Sequence, residues 1–349
     1  MAGIPFQDDK GRSPFHTDCN AETGVCWGLT EGAAGMVSQV RGLAQAVGLP
    51  FELKNVTLRM PWKKLWPGFI PVSHAIFNDP AVLKSQSAPR VVISCGRQAL
   101  MASLVLKSQL KDRIFAVHIQ DPKIRTTRLD MVIAPQHDGL YGPNVVQSPG
   151  ALHHVTPELL KAATKSSAAR QLDQLRPRFV TVLLGGPNNC YRFTEESLAP
   201  LVAGLKDAVR RQPVDLAILP SRRTPRGVVN MFQREFGKEH YVWDGQAENP
   251  YLAALALCSH IVVTSDSVSM VSEAAATEKP VSVFSLPERR QSRRFRRFHA
   301  EFAEMGITRP FLGQFDEWLY TSPNPTQRIA ELICQQLEKS HVNPSRSAA

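Results

Sequence analysis

The chain of 349 residues has few cysteines, and those it has are scattered. Cys19, Cys26, Cys95, Cys190, Cys258 and Cys334 form no C-x-x-C pair, and several sit inside apolar runs. That spacing argues against a zinc ribbon or a disulfide framework and predicts reduced core thiols. Long apolar runs are missing as well, since none approaches the ~20 residues that a bilayer-spanning helix needs. The first ten residues include Asp8, Asp9 and Lys10 and lack the apolar core of a secretory signal. Together these absences predict a cytoplasmic protein that is not exported by the signal-peptide route. No H-x-x-x-H pair, cysteine cluster or Ser-His-Asp order points to zinc or acyl-transfer chemistry. The turn Gly32-Ala-Ala-Gly35 does not supply the G-x-G-x-x-G spacing that a nicotinamide-dependent epimerase would want. The expectation is a protein without metal or cofactor.

Negative charge is the scarcer sign: 31 acidic against 41 basic residues leave a net charge of +10. An anionic partner follows, and nucleic acid, anionic lipid or a nucleotide diphosphate would each satisfy it. The excess is densest in Glu288-Arg-Arg-Gln-Ser-Arg-Arg-Phe-Arg-Arg-Phe-His299, with six arginines between Arg289 and Arg297. Phe295 and Phe298 could stack on bases, but no nucleic-acid module surrounds them, and a solvated helix face is the alternative reading. Hydrophobic residues make up 43% of the chain, so it is globular, and its length predicts two domains.

Strand-like apolar runs alternate with helical periods along the whole chain. In the first half, strands are expected at Val25–Leu29, Phe51–Leu58, Arg90–Ser94, Ile114–Ile119, Met131–Ala134 and Asn144–Gln147, with a helix running from Met36 to Gly48 and another from Ala99 to Leu110. Pro157 to Leu175 reads as a helical connector, after which the pattern restarts at Phe179–Leu184. Later strands are expected at Leu216–Leu219, Tyr241–Trp243, Ile261–Val263 and Val281–Phe284. This alternation predicts an α/β fold of two doubly wound, Rossmann-like domains facing a central cleft, a GT-B-like architecture. The expected organisation is a loose arm over 1–24, an N-terminal Rossmann-like domain over 25–156, the connector over 157–177, a C-terminal Rossmann-like domain over 178–320, and a final helix and tail over 321–349.

The most informative stretch runs from Ile261 to Val281. Three apolar residues end at Val263, the polar loop Thr264-Ser-Asp-Ser267 follows, and a helix starts near Val268. Such a helix start gathers unpaired N–H groups and the positive end of the helix dipole, which suits a phosphate. Glu273, one turn in, could accept hydrogen bonds from a ribose diol. In the plainer reading Thr264, Ser265 and Asp266 only cap the helix. The segment Ser265-Asp-Ser-Val-Ser-Met-Val-Ser-Glu273, followed by Ala-Ala and Lys-Pro-Val, resembles the donor-site motif of GT-B glycosyltransferases. It is especially similar to that of the N-acetylglucosaminyltransferase of peptidoglycan synthesis. The resemblance implies that Glu273 binds the nucleotide ribose and that Ser265, Asp266, Ser267, Ser269 and Met270 line the diphosphate.

Other second-half segments extend that donor site. Gly185 and Gly186 follow a strand, where backbone can approach a ligand closely, and Asn188, Tyr191 and Arg192 come next. In Leu219-Pro-Ser-Arg-Arg-Thr-Pro225, Ser221, Arg222 and Arg223 stand at a strand's carboxyl end, where forked guanidinium hydrogen bonds suit phosphate. A surface turn is the plain alternative. Asp244 to Pro250 forms a loop that, in similar proteins, lies beside the base.

The first half carries a second resemblance. Trp27-Gly-Leu-Thr-Glu-Gly-Ala-Ala-Gly-Met-Val-Ser-Gln39, continuing to Gly48, is similar to the opening of a family of bacteria and plants whose plant member is the mitochondrial fission factor named for elongated mitochondria. Cys95-Gly-Arg-Gln98, Gln120-Asp-Pro122, Pro135-Gln-His-Asp-Gly139, Gly185-Gly-Pro187 and Ser265-Asp-Ser267 recur there in the same order. The match covers roughly Val25 to Phe311. Gly32, Gly35, Gln39, Gly96 and Arg97 form the acceptor-side loops it implies.

Glycosyl transfer needs a group to take the acceptor proton and positive charge for the leaving diphosphate. Glu31, Asp121, His137 and Asp138 lie at predicted strand ends facing the cleft, with Asp121 or Glu31 favoured as base. Each also has a structural reading as a cap or turn residue. Met60 to Pro71 combines Trp62, Trp66 and Phe69 with Lys63 and Lys64, a composition suited to a bilayer surface or to packing under a loop. The expected function is transfer of a sugar from a nucleotide-activated donor to an envelope glycan or lipid-linked acceptor, with peripheral contact to the inner face of an anionic membrane. A non-catalytic adaptor of the same fold that recruits partners at a membrane is the rival.

Overall fold

The computed structural model describes residues 24–84 and 88–342. The arm expected over 1–24 falls outside them except for Gly24. In chain order the elements are β1 (Cys26–Thr30), α1 (Ala34–Val47), β2 (Phe51–Asn55), β3 (Val91–Cys95), α2 (Arg97–Leu110), β4 (Phe115–Ile119), β5 (Met131–Pro135), β6 (Val145–Ser148) and α3 (Pro157–Ala163). There follow β7 (Phe179–Leu184), α4 (Glu195–Arg211), β8 (Asp215–Pro220), α5 (Arg226–Phe236), β9 (Tyr241–Val242), α6 (Tyr251–Leu257), β10 (His260–Thr264), α7 (Val268–Ala275), β11 (Val281–Phe284), α8 (Arg293–Glu304), β12 (Thr308–Pro310) and α9 (Pro325–Val342).

The strands form two six-stranded sheets, ordered β2-β1-β3-β4-β5-β6 and β12-β11-β10-β7-β8-β9. Every described strand pair is parallel; in the first sheet Cys26 lies opposite both Phe51 and Val91. Helices cover both faces of each sheet, so the central strands are buried along their whole length and read as unbroken apolar runs. The second sheet has the full Rossmann order, reversing direction between β7 and β10. Two apolar clusters flank each sheet. The final helix α9 returns to the first half, where Ile329, Ala330, Ile333 and Leu337 pack with Val40, Leu43 and Val47 of α1.

Three expected boundaries move, each for a local reason. The strand expected over Phe51–Leu58 stops at Asn55, because its partner β1 ends at Thr30, the residue opposite. The connector is not one helix: Thr164 and Ser166 turn their hydroxyls back onto the carbonyls of Lys161 and Ala163, each at 2.8 Å. That competition ends α3, and a short 3-10 turn at Ala169–Leu172 completes the segment. Helix α2 begins at Arg97 instead of Ala99 because the Glu31 carboxylate, from another strand end, accepts Gln98 N–H at 2.7 Å. The cysteine expectation is also corrected: Cys26, Cys95, Cys190 and Cys258 are free, but Cys334 is disulfide-bonded.

Candidate functional site

The strand order reverses between β1 and β3 in one half and between β7 and β10 in the other. Ligands of open α/β sheets bind outside the carboxyl ends of strands at such points. Here those ends carry Glu31 and Gly96 on one side, and Gly185, Gly186, Ser265 and Asp266 on the other. Contacts between the halves bring the two ends together. A Cβ built on Gly35 would lie 2.8 Å from Ser269 Oγ, so the first turn of α1 rests directly on the start of α7. Ala151 N–H donates to Ser272 Oγ at 3.0 Å.

At the centre of this contact is Glu273, only 7% exposed. Ser38 of α1 donates to its Oε1 at 2.6 Å, and the Tyr251 hydroxyl donates to its Oε2 at 2.6 Å. Ser38 Oγ has spent its one proton on Glu273, so at 2.7 Å it accepts from His154 Nδ1–H. Burial pushes the Glu273 carboxyl above its ordinary range, and the two hydroxyl donors pull it back down. Burial, reinforced by Glu273, holds Tyr251 well above an ordinary phenol, so it remains a donor. A carboxylate that accepts two hydroxyl protons has the chemistry a ribose diol requires. In this structure protein hydroxyls from both halves fill that role.

The loops after β7 and β10 are bound to each other. Asp266, with a fully buried side chain, accepts Gly186 N–H at 2.8 Å, the Thr264 hydroxyl at 2.7 Å and Arg223 at 3.1 Å. Burial raises its carboxyl and these donors lower it. A Cβ on Gly185 would fall 2.1 Å from Asp266 Oδ2, and one on Gly186 would fall 2.6 Å from the Arg223 backbone. Close approach by protein atoms alone is enough to require glycine at both positions. Asn188 organises the same loop, accepting from the N–H groups of Cys190 and Tyr191 and donating to Asp266 O. Ser221 donates to Gly185 O. Ser265 accepts Leu286 N–H, and Ser267 caps α7 by accepting from Met270 N–H. Arg222 and Arg192 are exposed and make no side-chain hydrogen bond or ion pair among the described residues.

The four candidate catalytic groups separate clearly. Glu31 holds Gln98 with both oxygens, 2.7 Å to the backbone N–H and 2.8 Å to Nε2. Gly96, at φ +98°, keeps clear of it; a side chain there would meet Glu31 Oε1 at 2.8 Å. Asp121 pairs with exposed Lys123 at 2.5 Å. Asp138 pairs with Arg294 of α8 at 2.8 Å, which links the two halves. Burial raises the Asp138 carboxyl, and Arg294 opposes that rise. His137 is 1% exposed, and neither ring nitrogen has a hydrogen-bond partner, although Asp138 Oδ1 lies 3.7 Å from Nε2; its ring meets Phe298 edge-on at 5.3 Å. Burial, with Arg294 nearby, lowers it to about 3. On the acceptor-side loops, Gly32 N–H donates to Thr30 Oγ1, Gln39 Nε2 donates to Gly35 O, and Arg97 donates to the carbonyls of Leu65 and Lys63.

The family model described as Mitochondrial fission ELM1 matches residues 34–337. The chain belongs to the ELM1 family. Mitochondrial fission protein ELM1 of Arabidopsis thaliana is 29% identical over 282 residues, 72% of this chain and 65% of the plant protein. The match thus spans about two thirds of that relative's length. Uncharacterized protein RP120 of Rickettsia prowazekii is 25% identical over 88% of this chain and 97% of its own. Among solved structures, the UDP-GlcNAc 2-epimerase of Methanocaldococcus jannaschii superposes with TM-score 0.53 at 13% identity, covering 89% of this chain and 99% of that one. The UDP-N-acetylglucosamine 2-epimerase of Rickettsia bellii gives 0.50 at 12% identity, over 92% and 98%. At such identity the likeness shows the fold, which is GT-B-like.

Within this ELM1-family fold, the residues that sequence reasoning missed are Ser38, His154, Tyr251 and Arg294. Tyr251 adjoins the expected base-side loop at Pro250, and Ser38 is a polar residue on the buried face of α1; those were the available signals. The aromatic reading of the arginine cluster is corrected. Phe298 is fully buried, and Phe295 packs edge-on against Tyr191 at 5.1 Å, so neither is free to stack on a base. No helix among the described residues is long and apolar enough to cross a membrane. No group of three or more His, Cys, Asp or Glu residues able to hold a metal occurs among them.

Proposed function

We propose that the protein binds a nucleotide sugar in the cleft and transfers its glycosyl unit to an envelope glycan or lipid-linked acceptor. The observation that carries this reading is Glu273, a buried carboxylate beside a Rossmann switch point that already accepts two hydroxyl protons at 2.6 Å. A ribose diol would take the places of Ser38 and Tyr251 as the halves part. The start of α7, capped by Ser267, would face the diphosphate, with unpaired Arg222 and Arg192 at the rim supplying charge for the leaving group. In this reading Asp121 serves as the base. Its Oδ1 accepts the Lys123 backbone N–H, but the Lys123 side chain on Oδ2 is exposed and can swing away, whereas both Glu31 oxygens are committed to Gln98. The M. jannaschii epimerase of like fold has been captured with UDP-GlcNAc and UDP, which supports a nucleotide sugar as the ligand class.

A second reading has its own observation. Both Glu273 oxygens are satisfied from within the chain, and one of the donors comes from the opposite half, so this carboxylate acts as a structural acceptor that joins the halves. A non-catalytic adaptor would need nothing more, and the plant relative's name, a mitochondrial fission protein, agrees with that role. A thermal-shift series with nucleosides, nucleoside diphosphates and nucleotide sugars separates the two readings, because a ligand that binds only the folded state raises its stability by mass action. A rise with a nucleotide sugar that is lost in Glu273→Ala supports the transferase reading. No rise with any of these ligands leaves the adaptor.

A further inference from the structure

We propose that the loop from Met60 to Ile70 is a docking foot for an anionic lipid bilayer. The proposal is independent of the nucleotide-sugar reading. Four large apolar side chains of this loop face solvent: Phe69 is 80% exposed, Trp66 61%, Met60 56% and Leu65 37%. They lie within ten residues of each other, whereas most large apolar side chains of the chain are buried. A cluster of this kind marks a surface that something apolar covers.

The loop is fixed in place, not loose. Trp62, expected among the interfacial residues, instead leans half-buried into the first-half core, and Pro67 and Ile70 are buried on either side of the exposed tips. Arg97, the first residue of α2, donates to the carbonyls of Leu65 and Lys63. Trp66 and Phe69 are therefore held outward with little conformational freedom left to lose on contact.

Charge selects the partner. Arg59, Lys63 and Lys64 flank the apolar tips, all are exposed, and none has an ion pair among the described residues. No acidic residue occurs between Glu52 and Asp79. Indoles and phenyl rings inserted at headgroup depth, ringed by unpaired lysines, match an anionic interface, where apolar insertion and electrostatic attraction add. A protein partner would be expected to offer carboxylates to this ring and would meet some acidic complement on it. The foot also adjoins the cleft. Arg97 stands directly after Gly96 at the carboxyl end of β3, beside Glu31. A bilayer seated here would hold lipid-borne groups next to the acceptor-side loops.

The test is flotation of the full chain with vesicles of phosphatidylcholine alone and of phosphatidylcholine mixed with phosphatidylglycerol, at low and high salt. The unmodified chain should float with the mixed vesicles at low salt and less so at high salt. The double substitution Trp66→Ser, Phe69→Ser should reduce bound protein about tenfold, and Lys63→Glu with Lys64→Glu should do likewise. All four positions are exposed, and unchanged thermal melting of the variants confirms that folding is intact. Three results would overturn the proposal: no flotation in any condition, flotation that the Trp66 and Phe69 changes leave intact, or loss only when Arg289, Arg290 and Arg293 are replaced. Sedimentation in the absence of lipid covers the remaining occupant. A dimer that disappears with the Trp66 and Phe69 changes would assign the foot to a second copy of the chain and refute the bilayer.

Discussion

Ser38 and Glu273 stand 235 positions apart in the chain, on helices of different halves, and share a hydrogen bond of 2.6 Å. The bond is one of the points where the two Rossmann-like units meet in a buried polar contact, and His154 and Tyr251 supply the remaining donors. A ligand that uses Glu273 must compete with Ser38. The same contact therefore links binding to opening of the cleft.

That competition gives two substitutions opposite signs. Glu273→Ala should weaken nucleotide-sugar binding about ten- to a hundredfold, the loss expected for charge-assisted hydrogen bonds. It should also lower stability by about 1–3 kcal/mol, because two buried hydroxyls lose their acceptor. Ser38→Ala removes the competitor and should leave affinity equal or higher. Calorimetric titration measures both; parallel losses in the two variants would show that the ligand binds elsewhere.

The neighbouring arginines Arg222 and Arg223 should divide by role. Arg223 is tied to buried Asp266 and to the carbonyls of Gly186 and Pro187, so Arg223→Ala should act on stability, by about 1–2 kcal/mol. Arg222 has no such ties, and Arg222→Ala should leave folding alone while weakening a nucleoside diphosphate more than the bare nucleoside. Urea denaturation and nucleotide titration together decide this; equal nucleoside and diphosphate losses would place Arg222 away from phosphate.

Much of the fold was legible because both sheets are parallel and buried, which prints apolar runs such as Val91 to Cys95 and Phe179 to Leu184 directly into the sequence. The start of α7 was legible too: it begins at Val268 as expected, although the cap is Ser267 and not Thr264, Ser265 or Asp266. The site was less so. Glu31 read as a candidate base, but its role as acceptor for the first turn of α2 depends on a partner 67 residues away. Gly185 read as a place of close approach, but that it makes room for Asp266, brought in after β10, was not legible. Periodicity and spacing report neighbours along one element. They carry no record of which strand ends the topology sets side by side.

Gly42 offers a test in which propensity and packing disagree. In the middle of α1, replacing glycine by alanine should favour the helix by roughly 1 kcal/mol on propensity alone. A Cβ at Gly42, however, would lie 2.2 Å from the carbonyl oxygen of His153, a backbone atom with no rotamer to yield. Gly42→Ala should therefore destabilise by about 1–3 kcal/mol. A urea midpoint that is unchanged or raised would mean that the 151–154 segment moves aside freely.

Acid should loosen the protein through its buried histidines. Burial lowers His118 and His137 to about 3, and His153 and His260 to about 4, well below the ordinary histidine value. Each is neutral in the folded chain and takes up a proton on unfolding once the pH falls below about 6.5. The unfolded state then binds more protons, so the stability these groups contribute is fully present above that pH and drains away as pH falls toward 3–4. Each histidine contributes a slope of up to roughly 1.4 kcal/mol per pH unit within the window. The carboxyls of Glu273 and Asp266, raised by burial, act in the opposite sense over the window between their raised folded values and the ordinary carboxyl value, but they are two against four histidines. Between pH 6.5 and 5 the histidines should dominate. Urea midpoints measured across pH 8 to 5 should be flat at the top and fall below pH 6.5. His137→Phe, which keeps a ring against Phe298 and removes the proton site, should make that fall shallower. An identical fall in the variant would show that His137 is protonated in the folded chain and that its burial between the two halves does not hold in solution.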